Sequence, residues 1–163
     1  MSDIMQAISE DNYLQIKKLI KDGTNVNEII ENEDNENDEC LMYYALHKKC
    51  SFETLKYMVE NGYDLKFVDS QGVSILDEAI VLGNVEFIEY LICEQKIDVN
   101  KTERKSGLTP VIQATCYGKI DLVKLLISYG ADLSIKDKFS LSAADYARKL
   151  QRKQMQEFLE NLA

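Results

Sequence analysis

Five alanines, at 7, 45, 79, 114 and 147, each open a similar block of sequence, with spacings of 38, 34, 35 and 33 residues. The block at Ala114 runs into Gly118-Lys119-Ile120-Asp121-Leu122-Val123-Lys124-Leu125-Leu126-Ile127 and then Gly130-Ala131-Asp132-Leu133-Ser134. The block at Ala79 runs into Gly83-Asn84-Val85-Glu86-Phe87-Ile88 and Asp98-Val99-Asn100; that at Ala7 runs into Asp11-Asn12-Tyr13-Leu14 and Asn25-Val26-Asn27. The copy at Ala45 carries one extra residue near Cys50, and the copy at Ala147 decays into Met155-Gln156-Glu157-Phe158-Leu159. A period near 33 residues with small insertions means stacked supersecondary units, because no single unit can bury its own apolar face.

The physics of one unit is legible. Thr109-Pro110 opens a helix: the hydroxyl can accept an orphan N–H, and proline suits the first helical position. Ser74 and Ser142 can cap the equivalent helices. Ala114 allows a neighbouring helix to approach closely, and Gly118 ends the first helix in a left-handed cap. Ile120, Val123, Leu126 and Ile127 then recur at helical spacing, making the apolar stripe of a second helix that Gly130 closes. Each unit therefore reads as helix, tight turn, helix and projecting loop.

With 163 residues and 45% hydrophobic side chains, the chain is too apolar for disorder and long enough to bury a core. No apolar run approaches the ~18 residues that would span a bilayer. Met1-Ser2-Asp3-Ile4 lacks a basic flank and an apolar run, so no secretory signal is expected, and a cytoplasmic location is. The four cysteines, at 40, 50, 93 and 116, form no Cys-x-x-Cys pair; with one histidine they suggest reduced thiols and no metal site. A net charge of −9 argues against nucleic acid as a partner. The charge is uneven: residues 1–82 carry 17 acids and 7 bases, residues 83–163 carry 11 acids and 12 bases.

Candidate chemistry is sparse. His47, the lone histidine, has Cys50 three residues on, but no orienting group or oxyanion site accompanies them, so an exposed histidine on a binding face is the expectation. Asp34-Asn35-Glu36-Asn37-Asp38 suggests half a calcium loop, yet the sixth position is Glu39 rather than glycine and the twelfth is Ala45 rather than glutamate. Residues 28–39, with seven acids and no base, read instead as an enlarged solvated loop. The glycines punctuate the repeat and build no phosphate-binding loop, and no cofactor is expected. Lys101, Arg104 and Lys105, and then Arg148, Lys149, Arg152 and Lys153, form small basic clusters that read as solvated faces.

Gly107-Leu108-Thr109-Pro110-Val111-Ile112-Gln113-Ala114 resembles the Gly-x-Thr-Pro-Leu-His-x-Ala opening of the ankyrin repeat, and Leu125-Leu126 followed by Gly130-Ala131-Asp132 resembles its second-helix ending. The resemblance covers nearly the whole chain. The departures are specific: Tyr43, Asp77, Ile112 and Asp145 occupy the family's histidine position, and only Pro110 retains the proline. It implies an all-α, ankyrin-type helical-pair solenoid of about five repeats including degenerate end caps. The expected units are 1–32, 33–67, 68–102, 103–135 and 136–163, making one domain over 1–163.

The resemblance further implies a non-catalytic protein-interaction module, a scaffold or adaptor. It would bind through a concave face built from turn tips and the exposed sides of first helices. The alternative is a dedicated inhibitor or antitoxin-like regulator that masks one enzyme. Turn tips would present Glu36, Asn37 and Glu39; Ser70, Gln71 and Val73; Lys105, Ser106 and Leu108; and Lys138, Phe139 and Leu141. First helices would present His47 and Lys48, Val81 and Leu82, and Cys116 and Tyr117. Val73, Val81, Leu82, Leu108, Tyr117, Phe139 and Leu141 would form an apolar stripe, with aromatic anchors. The expected ligand is a protein carrying an apolar anchor segment and a basic patch, with no nucleic acid and no membrane. The chain is expected to act as a monomer.

Overall fold

A computed structural model describes residues 2–30 and 39–162. Glu36, Asn37 and the Asp34–Asp38 run lie outside the described residues. Two compact units emerge, Met1–Glu78 and Ala79–Ala163, with the division falling inside one helix. Among the described residues the architecture is helical pairs with one small two-stranded ladder.

In the first unit, α1 (Asp3–Ser9) and α2 (Tyr13–Lys21) form the first pair. The Asn12 side chain caps α2, its Oδ1 accepting from Gln15 N–H at 3.2 Å. Ile4, Ala7, Ile8 and Ile16 face inward and are buried. The pair packs on α3 (Leu41–His47) and α4 (Phe52–Glu60), whose Leu46, Leu55 and Met58 complete the core. Burying each such side chain stabilises the fold by about 1.5–3 kcal/mol.

The described ends of the 28–39 stretch are joined to each other. Here β1 (Ile29–Ile30) pairs antiparallel with β2 (Glu39–Cys40), matching Ile29 to Cys40 and Ile30 to Glu39. Two adjacent β-branched residues favour the extended backbone, and Leu41 N–H then donates to the Glu28 carbonyl at 3.1 Å.

The extra residue near Cys50 has a structural reason. Lys49 takes the left-handed conformation, φ 58°, and Cys50 intervenes before Ser51, the cap of α4. The Cys50 thiol is buried, donates to the Ile8 carbonyl at 3.2 Å, and has its pKa pushed up to about 12, chiefly by burial. None of the four cysteines is in a disulfide.

Helix α5 (Ile75–Leu82) carries the division between the units. The second unit continues with α6 (Val85–Cys93), α7 (Pro110–Cys116), α8 (Ile120–Ser128), α9 (Ala143–Lys149) and α10 (Lys153–Glu160). Helix α7 packs against α8 and α9, and α9 against α10. Phe87, Ile88, Leu91, Ile112, Val123 and Leu126 have no exposed surface and form this unit's core. Thr109 caps α7, with Pro110 at the first helical position, as its sequence requires.

The residues at the family's histidine position each find a partner or a core site. Asp145 closes a capping box with Ser142 on α9, accepting from the serine N–H at 2.9 Å and its hydroxyl at 2.8 Å. Asp77 makes the same two contacts with Ser74, both at 2.8 Å. Tyr43 instead reaches forward, its hydroxyl donating to the Val73 carbonyl at 2.7 Å, with its ring edge-on to Phe67. Ile112 simply fills the core.

Candidate functional site

Two local motifs position the turn tips. Asp69 Oδ1 accepts from Gln71 N–H at 2.8 Å and Val73 N–H at 2.9 Å, folding the tip back on itself. Asp137 does the same for Phe139 and Leu141, both at 2.9 Å, while its Oδ2 accepts from the Tyr146 hydroxyl at 2.6 Å. Burial works against the Asp137 carboxylate, but these three hydrogen bonds and the nearby Lys149 charge outweigh it and hold its pKa below the ordinary range. The Tyr146 phenol is correspondingly pushed up to about 12.

This geometry sorts the expected tip residues. The second and third residues of each tip project outward, so Ser70, Gln71, Lys138 and Phe139 are exposed, Phe139 at 72%. Lys105 is exposed and Ser106 half-buried. In the two tips that begin with aspartate, the carboxylate also holds the N–H of the fifth residue. Val73, expected on the apolar stripe, is buried, and Leu108 and Leu141 are half-buried. These three serve packing more than display.

In the first unit, two expected contacts are engaged internally. His47 Nδ1 lies 3.0 Å from Glu39 Oε1 and Nε2 lies 3.0 Å from Glu78 Oε2. A doubly protonated ring donates through both nitrogens. The bond to Glu78, with smaller help from Glu39, overcomes partial burial and raises the His47 pKa to about 9. Lys48 is exposed, its ammonium 5.2 Å from the centre of the Tyr44 ring.

In the second unit the first-helix ends carry exposed apolar groups. Leu82 and Tyr117 are exposed at 38% and 51%, while Val81 and Cys116 are half-buried. Sequence reasoning missed Leu150, exposed at 44%. The signal was present. Leu82, Tyr117 and Leu150 each stand one residue before the left-handed residue after their helix, namely Gly83, Gly118 and Gln151. Without a glycine at 151, the register of the last repeat was obscured.

Leu14 and Val85, on second helices, are also exposed, as isolated apolar residues often are. Among the described residues, no group of three or more His, Cys, Asp or Glu side chains could hold a metal ion. Nor is any helix long and apolar enough to cross a membrane.

Helical pairs with left-handed turns at a fixed register, and loops whose tips fold on one aspartate, define a repeat protein that displays side chains from a scaffold. A profile for ankyrin repeats in three copies matches residues 4–103, and a single ankyrin repeat profile matches residues 106–138. The chain belongs to the ankyrin repeat family. It is 37% identical over 91 residues to the E3 ubiquitin-protein ligase hecd-1 of Caenorhabditis elegans, covering 55% of this chain and 3% of that protein. It is 35% identical over 97 residues to the E3 ubiquitin-protein ligase Ufd4 of Drosophila melanogaster, covering 59% and 3%. Against the mouse Ankyrin repeat and SAM domain-containing protein 6 the identity is 30% over 105 residues, covering 64% and 12%. The chain thus spans a small part of these relatives' lengths. Ankyrin repeats are generally protein-interaction modules.

Proposed function

We propose that the five repeats act together as a non-catalytic scaffold or adaptor domain in the cytoplasm, binding a protein partner as a monomer. The display positions are the turn tips and first-helix ends. The observation that carries this reading is the exposure of two large aromatics, Tyr117 at 51% and Phe139 at 72%, at such positions in the second unit. Large rigid side chains exposed in this way lose little entropy on docking and dominate binding energy. A basic patch on the partner would face the acids of residues 28–39.

A pull-down from the native source with mass spectrometry would identify the partner. Tyr117→Ala and Phe139→Ala should then each weaken its binding by more than about 1 kcal/mol, roughly fivefold. Unchanged affinity in both variants would place docking elsewhere. Neutralising the acids of 28–39 should slow association and flatten its salt dependence; an unchanged on-rate at low salt would discard the basic patch.

A further inference from the structure

At the turn tips and first-helix ends of the second unit, the large exposed side chains, such as Leu82, Lys105, Tyr117, Lys138, Phe139 and Leu150, are apolar or basic. Leu82, Tyr117 and Leu150 share one register position, and all three are exposed. In the first unit that position holds Glu10 and Lys48. Basic residues knit the apolar row together. Arg152 Nη2 donates to the Cys116 carbonyl at 3.0 Å, and its guanidinium lies over Gly118, where a Cβ would come within 3.1 Å. Lys119 repeats the arrangement one step earlier, its Nζ 3.0 Å from where a Cβ on Gly83 would stand. At the tips, Lys138 N–H donates to the Ser106 carbonyl at 3.1 Å, setting exposed Lys105 and Lys138 beside Phe139.

The acids of this unit lie elsewhere. Glu86, Glu89, Asp121, Glu157 and Glu160 stand on the second helices. Asp137 and Asp145 are folded inward as tip and cap, and Glu103 pairs with Lys101 at 3.0 Å. Glu94, Asp98 and Asp132 follow the ends of second helices, and although Lys124 and Lys153 share those helices, Lys119, Arg152, Lys105 and Lys138 leave a basic and apolar row that the unit's near-neutrality conceals. A cleft lined by Gly118, Ile120, Arg152 and Met155 opens next to that row.

We infer that this row receives an extended acidic segment of a partner protein carrying a large apolar residue at every third position. Charge complementarity sets the acidity, since carboxylates would meet Lys119, Arg152, Lys105 and Lys138. Geometry sets the spacing. Stacked helices lie about 8–10 Å apart, and a chain extended in the polyproline II conformation advances about 3.1 Å per residue with about three residues per turn, so every third side chain faces the row again one repeat further on. The apolar residues would then fall on Leu82, Tyr117 and Leu150 in turn. This inference rests on the interaction reading above and names the partner's chemistry.

The test is fluorescence anisotropy with a labelled 12-residue peptide, leucine at every third position and glutamate or aspartate between. Two controls replace the acids by lysine, or bunch the same leucines together. The spaced acidic peptide should bind at least about tenfold more tightly than either control, and more weakly as salt rises. Tyr117→Ala and Leu150→Ala, both at exposed positions, should each weaken it roughly fivefold. Leu14→Ala, exposed on a second helix of the first unit, should leave it unchanged. Equal binding of the lysine or bunched peptide, or indifference to both row substitutions, overturns the inference. So does absence of binding by the acidic peptide. If that happens while the captured partner still needs Tyr117, the acidic-segment inference falls alone. If the captured partner needs neither Tyr117 nor Phe139, the interaction reading has failed on its own test.

Discussion

The carboxylate of Asp11 accepts the Thr54 hydroxyl at 2.8 Å, reaching from the turn of the first repeat to the start of α4 in the second. It also accepts from the Ser51 N–H at 2.9 Å and the Ser51 hydroxyl at 3.3 Å. Ser51 stands at the cap position of α4 but makes no side-chain cap bond of its own. The neighbouring repeat thus fixes the N-cap residue and the first-turn threonine of α4, which makes the start of this helix a tertiary interaction. Asp11 holds a left-handed backbone, φ 46°, to do so.

Asp11→Ala should therefore destabilise the protein by about 1–2 kcal/mol, since hydrogen bonds to a carboxylate are lost. Thr54 has no exposed surface, so its hydroxyl would lose a partner away from water. Asp11→Gly should cost less than Asp11→Ala, since glycine relieves the left-handed backbone while losing the same bonds. Urea melts of the two variants give the order; a glycine variant as unstable as the alanine variant would show that the backbone carries no strain.

A second inter-repeat tie recurs in both units. Asn27 donates through Nδ2 to the Gly62 carbonyl at 2.8 Å and accepts through Oδ1 from Asp64 N–H at 2.8 Å. Asn100 repeats it on Gly130 and Asp132, at 3.0 and 2.8 Å. Replacing either asparagine by alanine removes two hydrogen bonds, for a loss of about 1–2 kcal/mol. Aspartate in its place would set a carboxylate oxygen against the Gly130 carbonyl, so Asn100→Asp should be at least as destabilised as Asn100→Ala near neutral pH in thermal or chemical denaturation.

These ties mark the limit of what the sequence reveals. Thr109, Ser142 and Gly118 act on backbone groups a few residues away, and spacing along the chain predicts them. The burial of Val73 depends on Asp69 folding the tip inward, and the inward pull of Leu141 depends on Asp137. Neither follows from the resemblance to the ankyrin repeat, which places both residues on the display face. His47 is exposed, as the sequence suggests, but its pairing with Glu39 and Glu78, 8 and 31 residues away, is not visible in the sequence. The β1–β2 ladder brackets an acidic stretch whose charge dominated its reading. The tip contacts are local, four residues apart, but depend on side-chain geometry that spacing alone does not give; the His47–Glu78 pair and the β1–β2 ladder join segments distant in the chain.

The left-handed position after the first helices offers a test of backbone strain. It is held by Asp11, Lys49, Gly83, Gly118 and Gln151, with φ between 46 and 71°. A residue with a side chain is disfavoured there by about 1–2 kcal/mol, partly offset by the greater chain entropy that glycine loses on folding. Lys49→Gly and Gln151→Gly should each stabilise the protein by about 0.5–1 kcal/mol. Gly118→Ala should destabilise it by at least as much, because its new Cβ would also press on the Arg152 guanidinium at 3.1 Å. Midpoints of urea unfolding at constant m-value decide the sign of each.

His47 should make stability fall as pH rises through the alkaline range. Its pKa is raised from 6.5 to about 9 by carboxylates on both ring nitrogens, so between those values the folded state holds a proton that the unfolded state has released. By linkage, the stabilisation is fully present below pH 6.5 and is lost as pH climbs through about 9. The ring is 46% exposed, so solvent screening reduces the effect to roughly 1–2 kcal/mol. His47→Gln removes the titrating group while keeping a side chain that can donate one hydrogen bond. Unfolding free energies of wild type and variant, measured at pH 6, 8 and 10, should differ most at pH 6 and converge by pH 10. A constant difference across that range would mean that the histidine is not held as a cation between Glu39 and Glu78.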